Sequence, residues 1–227
     1  MAQRAVIFDL DGTLVDSLPG IAASLNRALE YRHLPLHSLA AIRGFIGNGV
    51  RMLVRRAVPQ ATEETLLAAL EQAFKADYDL TWPQGTVAYP GVAELLAELQ
   101  RRGLALAVLS NKPHGFTTAM VNGVFPAVAF AAVLGQRPGI PHKPDPAGAI
   151  EIAAMLDLPA QACVVVGDST MDIETARRAG MRTVAVSWGY HVRDALAAAL
   201  PDAMSDTPEA LLSLLGQDLG GGALTPP

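Results

Sequence analysis

Five short apolar runs alternate with amphipathic helical patterns, and this alternation constrains the fold of the chain more than any other feature. Apolar runs of four to seven residues are typical of strands buried on both faces of a parallel sheet. Between them, residues 91–102 place apolar side chains at helical spacing and stop at Gly103. The predicted strands are 5–10, 104–109, 128–134, 163–166 and 183–186, and further helical patterns lie at 146–156 and 171–179. Strands and helices that alternate in this way predict an α/β fold with a doubly wound, mostly parallel sheet.

Residues 17–88 interrupt the alternation, because they show helical patterns and no convincing strand. The helical stretches are 19–31, 39–45, 50–58 and 62–78. An insertion of this size after the first strand is typical of a small separate domain. We therefore predict a Rossmann-like core of residues 1–16 and 89–219, a small all-helical cap domain of residues 17–88 inserted after the first strand, and a flexible tail of residues 220–227.

Composition excludes several classes of partner. Of the 227 residues 51% are hydrophobic and the net charge is -5, which is typical of a globular domain and argues against a nucleic-acid partner. The longest apolar stretch is too short to span a bilayer, and the opening apolar run is cut by acids, so we expect neither a membrane partner nor a secretory leader. The single Cys163 cannot form an internal disulfide, and its place in an apolar run predicts a buried strand residue in a cytoplasmic protein.

Asp9 and Asp11 stand two residues apart where the first apolar run ends. Strand alternation sends both side chains to the same face, and Gly12 lets the backbone turn directly after them. Two carboxylates in one small space repel each other unless a cation or a proton offsets their charge. The pair therefore indicates metal-assisted acid–base or nucleophilic chemistry, although acids that cap the next helix would show the same pattern.

Polar residues also follow the other predicted strands. Ser110, Asn111 and Lys112 end the second strand, residues 167–169 end the strand that begins at Cys163, and Lys143 opens the helix after the third strand. Ligands bind open α/β sheets at the carboxyl ends of their strands, so these segments are expected to converge on one edge. Taken alone, each has a plainer interpretation: Ser110 and Asn111 as helix caps, and Lys143 as a surface lysine.

The order and spacing of these four motifs resemble the haloacid dehalogenase-like hydrolase superfamily, in its large phosphatase branch. The resemblance implies that Asp9 is a nucleophile that takes the phosphoryl group and that Asp11 is a general acid and base. It implies that Ser110 binds the phosphate and that Lys143 holds both the nucleophile and the phosphate charge. It also implies that Mg²⁺ binds Asp9, Asp168 and the backbone carbonyl of Asp11, and that Asp172 acts from next to the metal ligands without binding the metal itself. Gly12, Thr13 and Asn111 are predicted to bind substrate.

Within the branch the chain most resembles bacterial phosphoglycolate phosphatases, on residues 8–17, 47–51, 110–113 and 188–190. The family commonly has threonine at the position of Ser110, and the loop 135–141 departs from its pattern. The resemblance implies hydrolysis of a small-molecule phosphate ester, 2-phosphoglycolate above others, by a monomer or homodimer. Arg51 of the cap is predicted to pair with a substrate carboxylate, although a solvent-facing helix arginine is an equal alternative.

Other functions stay open at this point. The same motifs fit a phosphatase for another sugar or small-acid phosphate and a phosphomutase of the same superfamily. A non-catalytic binding protein on this fold is expected to have lost one of the charged motif residues, and all of them are present. The dehalogenases that give the superfamily its name lack a second aspartate two residues after the nucleophile, which argues against that chemistry here.

Overall fold

The structure, a computed structural model, describes residues 5–218, so the predicted tail 220–227 lies outside the described residues. None of the described helices combines the length and the apolar character needed to cross a bilayer. In chain order the elements are β1 (Ala5–Phe8), β2 (Val15–Asp16), α1 (Leu18–Glu30), α2 (Leu39–Arg43), α3 (Gly49–Arg56), α4 (Glu64–Thr81), β3 (Val87–Ala88), α5 (Val92–Arg101), β4 (Ala105–Pro113), α6 (His114–Val124), β5 (Ala132–Gln136), α7 (Ala147–Met155), β6 (Cys163–Gly167), α8 (Thr170–Ala179), β7 (Arg182–Val186), α9 (Arg193–Ala198), β8 (Ala203–Ser205) and α10 (Pro208–Asp218), with short 3₁₀ helices at Trp82–Gly85 and Ala160–Ala162.

The main sheet has the strand order β5-β4-β1-β6-β7-β8, and each neighbouring pair is parallel. β1 lies inside the sheet between β4 and β6. Its side chains alternate between the two faces: Val6 and Phe8 enter one apolar cluster. Ala5 and Ile7 enter the other. Burial on both faces explains why the strand sequence is continuously apolar, and the predicted doubly wound parallel sheet is confirmed.

Helices cover both faces of this sheet. Residues of α5, α6 and α10, such as Leu96, Met120 and Leu211, pack in the same cluster as Phe8. Residues of α7 and α8 pack in the cluster on the opposite face, which also contains Cys163. The thiol is buried, in agreement with its predicted place in a strand. The two layers of helices leave the ends of the strands as the open edges of the core.

The helices α1 to α4 form the inserted segment, and it leaves and re-enters the core through paired strands. β2 and β3 pair antiparallel, with Val15 opposite Ala88 and Asp16 opposite Val87. The two crossings between the inserted helices and the core therefore run side by side. Leu25 of α1 belongs to the same buried cluster as Leu70 of α4, so these helices form a joint apolar interior. The all-helical insertion after β1 agrees with the predicted fold class, and its bounds at residues 17 and 88 stay a prediction.

Several elements depart from the sequence-based predictions. β3 lies inside the stretch predicted to lack strands, and β8 was not predicted. The strand predicted at 128–134 begins only at Ala132, because the backbone N–H of Val128 closes a turn onto the carbonyl of Phe125. Helices α6, α9 and α10 were also not predicted. β4 continues to Pro113 across an irregular register after Leu109, so Ser110 to Lys112 lie within the distorted end of a strand.

Candidate active site

Polar side chains from four segments meet at the carboxyl edge of the sheet. Asp9 directly follows β1, and Asp168 directly follows the adjacent strand β6. Ser110 lies in the distorted end of β4, and Lys143 lies between β5 and α7. All four side chains line one pocket, which also receives Asp11. The structure thus brings together the segments whose convergence the motif spacing predicts.

Lys143 joins two of the acids through a buried ammonium group. Its Nζ donates to Oδ1 of Asp9 at 2.7 Å and to Oδ1 of Asp172 at 2.6 Å, and also to the carbonyl oxygen of Leu109 at 3.0 Å. Burial by itself lowers the pKa of Lys143, but the charges of Asp172 and Asp9 outweigh it and the pKa is raised. For the acid Asp9 the effect of burial is the reverse: it raises the pKa to about 7, although the charge of Lys143 acts in the opposite direction. Lys143 is therefore a fixed positive centre directly beside Asp9.

Asp168 is held by neutral donors. The Thr13 hydroxyl donates to Oδ1 at 3.0 Å, and the backbone N–H of Tyr190 donates to Oδ2 at 2.7 Å. Burial raises its pKa to about 8, and the charges of Asp9 and Asp172 add to this effect. A Cβ atom at Gly12, where φ is +91°, would collide with the Asp168 carboxylate. The backbone after Asp11 therefore lies close against Asp168, and glycine is required there for both reasons.

The acids at this edge fit a hard divalent cation. Asp9, Asp168 and Asp172 each offer a carboxylate oxygen, and these oxygens lie within 4.8 Å of one another. All three residues are buried, and burial raises the pKa values of Asp9 and Asp168, with the charges of neighbouring acids adding to the effect. Oxygen ligands of this kind suit Mg²⁺, and its charge would relieve the repulsion. The Asp11 side chain is not in this group, and the predicted role of its backbone carbonyl stays a prediction.

Asp11 is paired with a different lysine, which the sequence analysis did not select as a site residue. Nζ of Lys112 donates to both carboxylate oxygens of Asp11, at 2.9 and 3.0 Å, and to the Tyr78 hydroxyl at 3.0 Å. The Ser17 hydroxyl donates to Oδ1 of Asp11 at 2.5 Å. The two acids of the first motif therefore line one pocket, as predicted, but each has its own ammonium partner.

The remaining predicted residues in the core have identifiable contacts. Asn111 accepts from the backbone N–H of Lys143 at 2.8 Å and donates to the carbonyl of Gly47 at 2.9 Å, so it holds the lysine and a loop of the inserted helices. The Ser110 hydroxyl accepts from the backbone N–H of Lys112 at 3.2 Å and lines the pocket. Thr13 donates to Asp168, and the Gly12 N–H donates to the carbonyl of Val15 at 2.9 Å. Their predicted roles toward substrate stay predictions.

Arg51 lies on α3 and pairs with acids of the inserted helices. Its guanidinium forms an ion pair with Glu64 and lies 3.6 Å from a carboxylate oxygen of Glu71. The side chain is 45% exposed and lies outside the lining of the pocket. To contact a bound substrate, Arg51 would have to leave these acids, so its predicted role also stays a prediction.

The inserted helices form an apolar wall of the pocket, opposite the sheet edge. Their contribution to the lining consists of two glycines and of the apolar side chains Ile21, Ile46, Val50, Leu53 and Phe74. Opposite them lie the charged groups of the sheet edge. A pocket with one apolar and one strongly polar wall admits a small anionic group against the sheet edge and excludes water from around it.

Comparisons with known proteins identify the family. The family model described as haloacid dehalogenase-like hydrolase matches residues 6–186. The chain belongs to this family. It is 34% identical to the phosphoglycolate phosphatase of Pectobacterium atrosepticum, with 95% of this chain and 93% of that protein covered. It is 35% identical to the phosphoglycolate phosphatase of Yersinia pseudotuberculosis, with 95% and 94% covered.

Solved structures of this hydrolase family have the same fold. The crystal structure of a predicted phosphoglycolate phosphatase from Haemophilus somnus superposes with a TM-score of 0.88 at 32% identity, covering 93% of this chain and 97% of that one. The family match and the similarity to these phosphatases identify this chain as a haloacid dehalogenase-like phosphatase, which is a phosphoric monoester hydrolase.

Proposed function

We propose that this chain is a Mg²⁺-dependent phosphatase for small phosphomonoesters, with 2-phosphoglycolate as its preferred substrate and an aspartyl phosphate on Asp9 as the intermediate. The observation that carries the proposal is the buried cluster in which Asp9 lies against the Lys143 ammonium, with Asp168 and Asp172 close by. The names of the relatives support the choice of substrate.

Asp9 is suited to attack phosphorus. A carboxylate oxygen of Asp9 forms a bond to the phosphorus atom while the bond to the ester oxygen breaks, which divides the hydrolysis into two easier steps. Lys143 fixes Asp9 by its bond to Oδ1 and places positive charge where the phosphoryl oxygens gain negative charge. Ser110, at the same edge, supplies a hydroxyl donor for a phosphoryl oxygen. Lys143 thus orients Asp9 and supplies positive charge, and Ser110 binds the group that is transferred.

Asp11 is suited to move protons. Asp11 first takes up a proton on one oxygen, which opens one of its two hydrogen bonds to Lys112. As the ester bond breaks, this carboxyl gives its proton to the leaving oxygen, so a neutral alcohol departs. The resulting carboxylate then takes a proton from the water molecule that attacks the aspartyl phosphate, and this regenerates Asp9 and releases inorganic phosphate. The apolar side chains of the inserted helices keep other water away from the intermediate.

The metal would be held by Asp9, Asp168 and the backbone carbonyl of Asp11, with Asp172 next to them. When bound, Mg²⁺ would offset the negative charge of these carboxylates and of the phosphoryl group. The oxygen donors and the raised pKa values of Asp9 and Asp168 support this choice of cofactor.

A substrate panel with a labelling experiment tests the proposal. Phosphate release is measured with Mg²⁺ across small phosphomonoesters that include 2-phosphoglycolate, with and without EDTA. Acid quenching during turnover of a ³²P-labelled substrate is expected to trap label on the protein, and hydroxylamine is expected to remove it, as acyl phosphates require. The Asp9→Asn variant should show neither turnover nor label. Turnover in EDTA, or label that survives hydroxylamine, would refute this mechanism.

A further inference from the structure

Lys112 is a buried lysine for which the proposed chemistry has no step. Its side chain is only 6% exposed, and its ammonium makes three hydrogen bonds, two to the Asp11 carboxylate and one to the Tyr78 hydroxyl. An ammonium group has three N–H donors, so all of them are in use. Lys112 is therefore placed to hold its neighbours.

The contact with Asp11 fixes the whole carboxylate. Both oxygens accept from the same Nζ, at 2.9 and 3.0 Å, and Oδ1 also accepts from the Ser17 hydroxyl. A carboxylate bound through both oxygens cannot rotate without breaking a charge-assisted hydrogen bond. The Lys112 charge also offsets that of Asp11, as Lys143 does for Asp9, which lowers the repulsion that a phosphate dianion meets on entering the pocket.

The contact with Tyr78 connects Asp11 to the inserted helices. Tyr78 lies on α4, and its ring stacks on Phe74 of the same helix with 5.3 Å between centroids. The ring also meets Phe116 of α6 edge-on at 5.4 Å, and the Lys112 ammonium lies 4.8 Å from its centroid. The Tyr78 side chain thus packs between Phe74 of its own helix and Phe116 of the core. It contacts Lys112 through both a hydrogen bond and a cation–π interaction.

We propose that Lys112 is a positioning residue for Asp11 and that Tyr78 makes this positioning depend on where the inserted helices lie. The proposal rests on the acid and base role of Asp11 in the proposed function. While α4 is packed against α6, Tyr78 and Lys112 hold the Asp11 carboxylate in one orientation toward the leaving oxygen. When the ring moves away, Lys112 loses one of its two anchors, and the orientation of the Asp11 carboxylate that it holds becomes less well defined.

The leaving group provides a readout that a merely structural role would not change. Phosphate esters with poor leaving groups need a proton from Asp11, and p-nitrophenyl phosphate scarcely does. Lys112→Met keeps the length of the side chain and removes the ammonium. We expect it to lower kcat on 2-phosphoglycolate by roughly 10- to 100-fold, part of what a positioned acid supplies, and kcat on p-nitrophenyl phosphate by less than about threefold. A plot of log kcat against leaving-group pKa should become steeper.

Tyr78→Phe keeps the ring between Phe74 and Phe116 and removes only the hydroxyl, so it serves if Lys112→Met does not fold. It should steepen the same plot to a smaller degree, and Lys75→Met, which removes a surface lysine from the same helix α4, should leave the plot unchanged. A wild-type slope in a folded Lys112→Met or Tyr78→Phe variant overturns the proposal. Asp11→Asn is measured beside them: a wild-type slope there refutes the acid role itself, whereas a steep slope there with an unchanged Lys112→Met refutes only the positioning.

Discussion

Each acid of the first motif has a lysine of its own, and this pairing separates their chemistry. Asp9 contacts Lys143, and Asp11 contacts Lys112. Because the two ammonium groups come from different segments, the pairings are set independently although the acids are only two residues apart. The proposed nucleophile and the proposed proton carrier are thus held by separate parts of the core.

Removal of Lys143 should leave two buried carboxylates without their shared partner. We expect Lys143→Met to lower the free energy of unfolding in EDTA by about 3–5 kcal/mol, because an uncompensated buried charge is strongly destabilising. Lys75 is the matched control, since its ion pair with Glu71 lies at the surface and Lys75→Met should change stability by about 1 kcal/mol or less. Urea unfolding of both variants measures the difference. Similar small losses in both would show that Lys143 does not offset the charge of Asp9 and Asp172.

Arg51 offers a test of how the inserted helices select a substrate. If its guanidinium leaves Glu64 and Glu71 to bind a substrate carboxylate, Arg51→Ala should raise KM for 2-phosphoglycolate by roughly 10-fold or more, the value of one charge-assisted contact. KM for a phosphate ester that has no carboxylate should stay close to wild type. Arg55→Ala, on the same helix and near the same Glu64, is the control. Equal increases for both esters would show that Arg51 supports α3 and does not recognise the substrate.

Sequence reasoning found the acids of this site and Lys143, and missed Lys112 and Tyr78, which hold Asp11. The spacing of Asp9, Asp11 and Asp168 after apolar runs signals a ligand edge, because acids rarely follow buried strands for packing reasons. Lys112 gives no such signal, since a lysine after a strand is usually exposed. Its partners Asp11 and Tyr78 are 101 and 34 positions away along the chain, and only the folded structure brings them together.

At the scale of elements, the core and the inserted helices are connected by two short strands that lie side by side. β2 pairs with β3 over two residues each, and directly beyond them Gly85 of the 3₁₀ helix lies against Gly20 of α1. A Cβ atom at Gly85 would overlap the backbone of Gly20. The close approach of two backbones at this place therefore depends on a glycine.

The substitution Gly85→Ala tests this approach. We expect a loss of about 1–3 kcal/mol in the free energy of unfolding, because backbone must move to admit the methyl group. Gly115→Ala is the control: its Cβ atom would meet nothing within 4 Å, and alanine in a helix should leave stability equal or about 0.5–1 kcal/mol higher. Thermal unfolding of the two variants gives the comparison. If Gly85→Ala is as stable as Gly115→Ala, the two backbones are free to separate.

The strands that sequence predicted are the ones with long enough patterns. β1 and β6 are continuously apolar because they are buried on both faces. β3 has two residues and β8 has three, too few to show an alternation, and each forms only through pairing with a distant segment. Residues 128–131 are apolar but lie in a turn and its exit, which shows that an apolar run alone does not distinguish a strand from a packed loop.

At the scale of the whole molecule, the apolar wall of the pocket and the acidic sheet edge together determine how stability changes with pH. Burial raises the pKa of Asp9 to about 7 and of Asp168 to about 8, from 3.8. The folded metal-free protein therefore binds protons at these sites more tightly than the unfolded chain does. The stability that these groups contribute is fully present below about pH 4. It decreases as the pH rises from there and is lost once the pH has passed the folded pKa values of about 7 and 8. Mg²⁺ requires the ionised carboxylates, so its binding works in the opposite direction.

We therefore expect the increase in Tm on adding Mg²⁺ to grow between about pH 6 and pH 9, because metal binding must displace protons at the lower pH. Differential scanning calorimetry at fixed ionic strength, with EDTA as the metal-free reference, measures this increase. Asp168→Asn removes the group with the higher pKa, so the variant should gain little from Mg²⁺ at either pH and lose less stability in EDTA as the pH rises. An increase in Tm that is equal at both pH values in the wild-type protein would contradict the assignment of Asp9 and Asp168 as the groups that exchange protons for the metal.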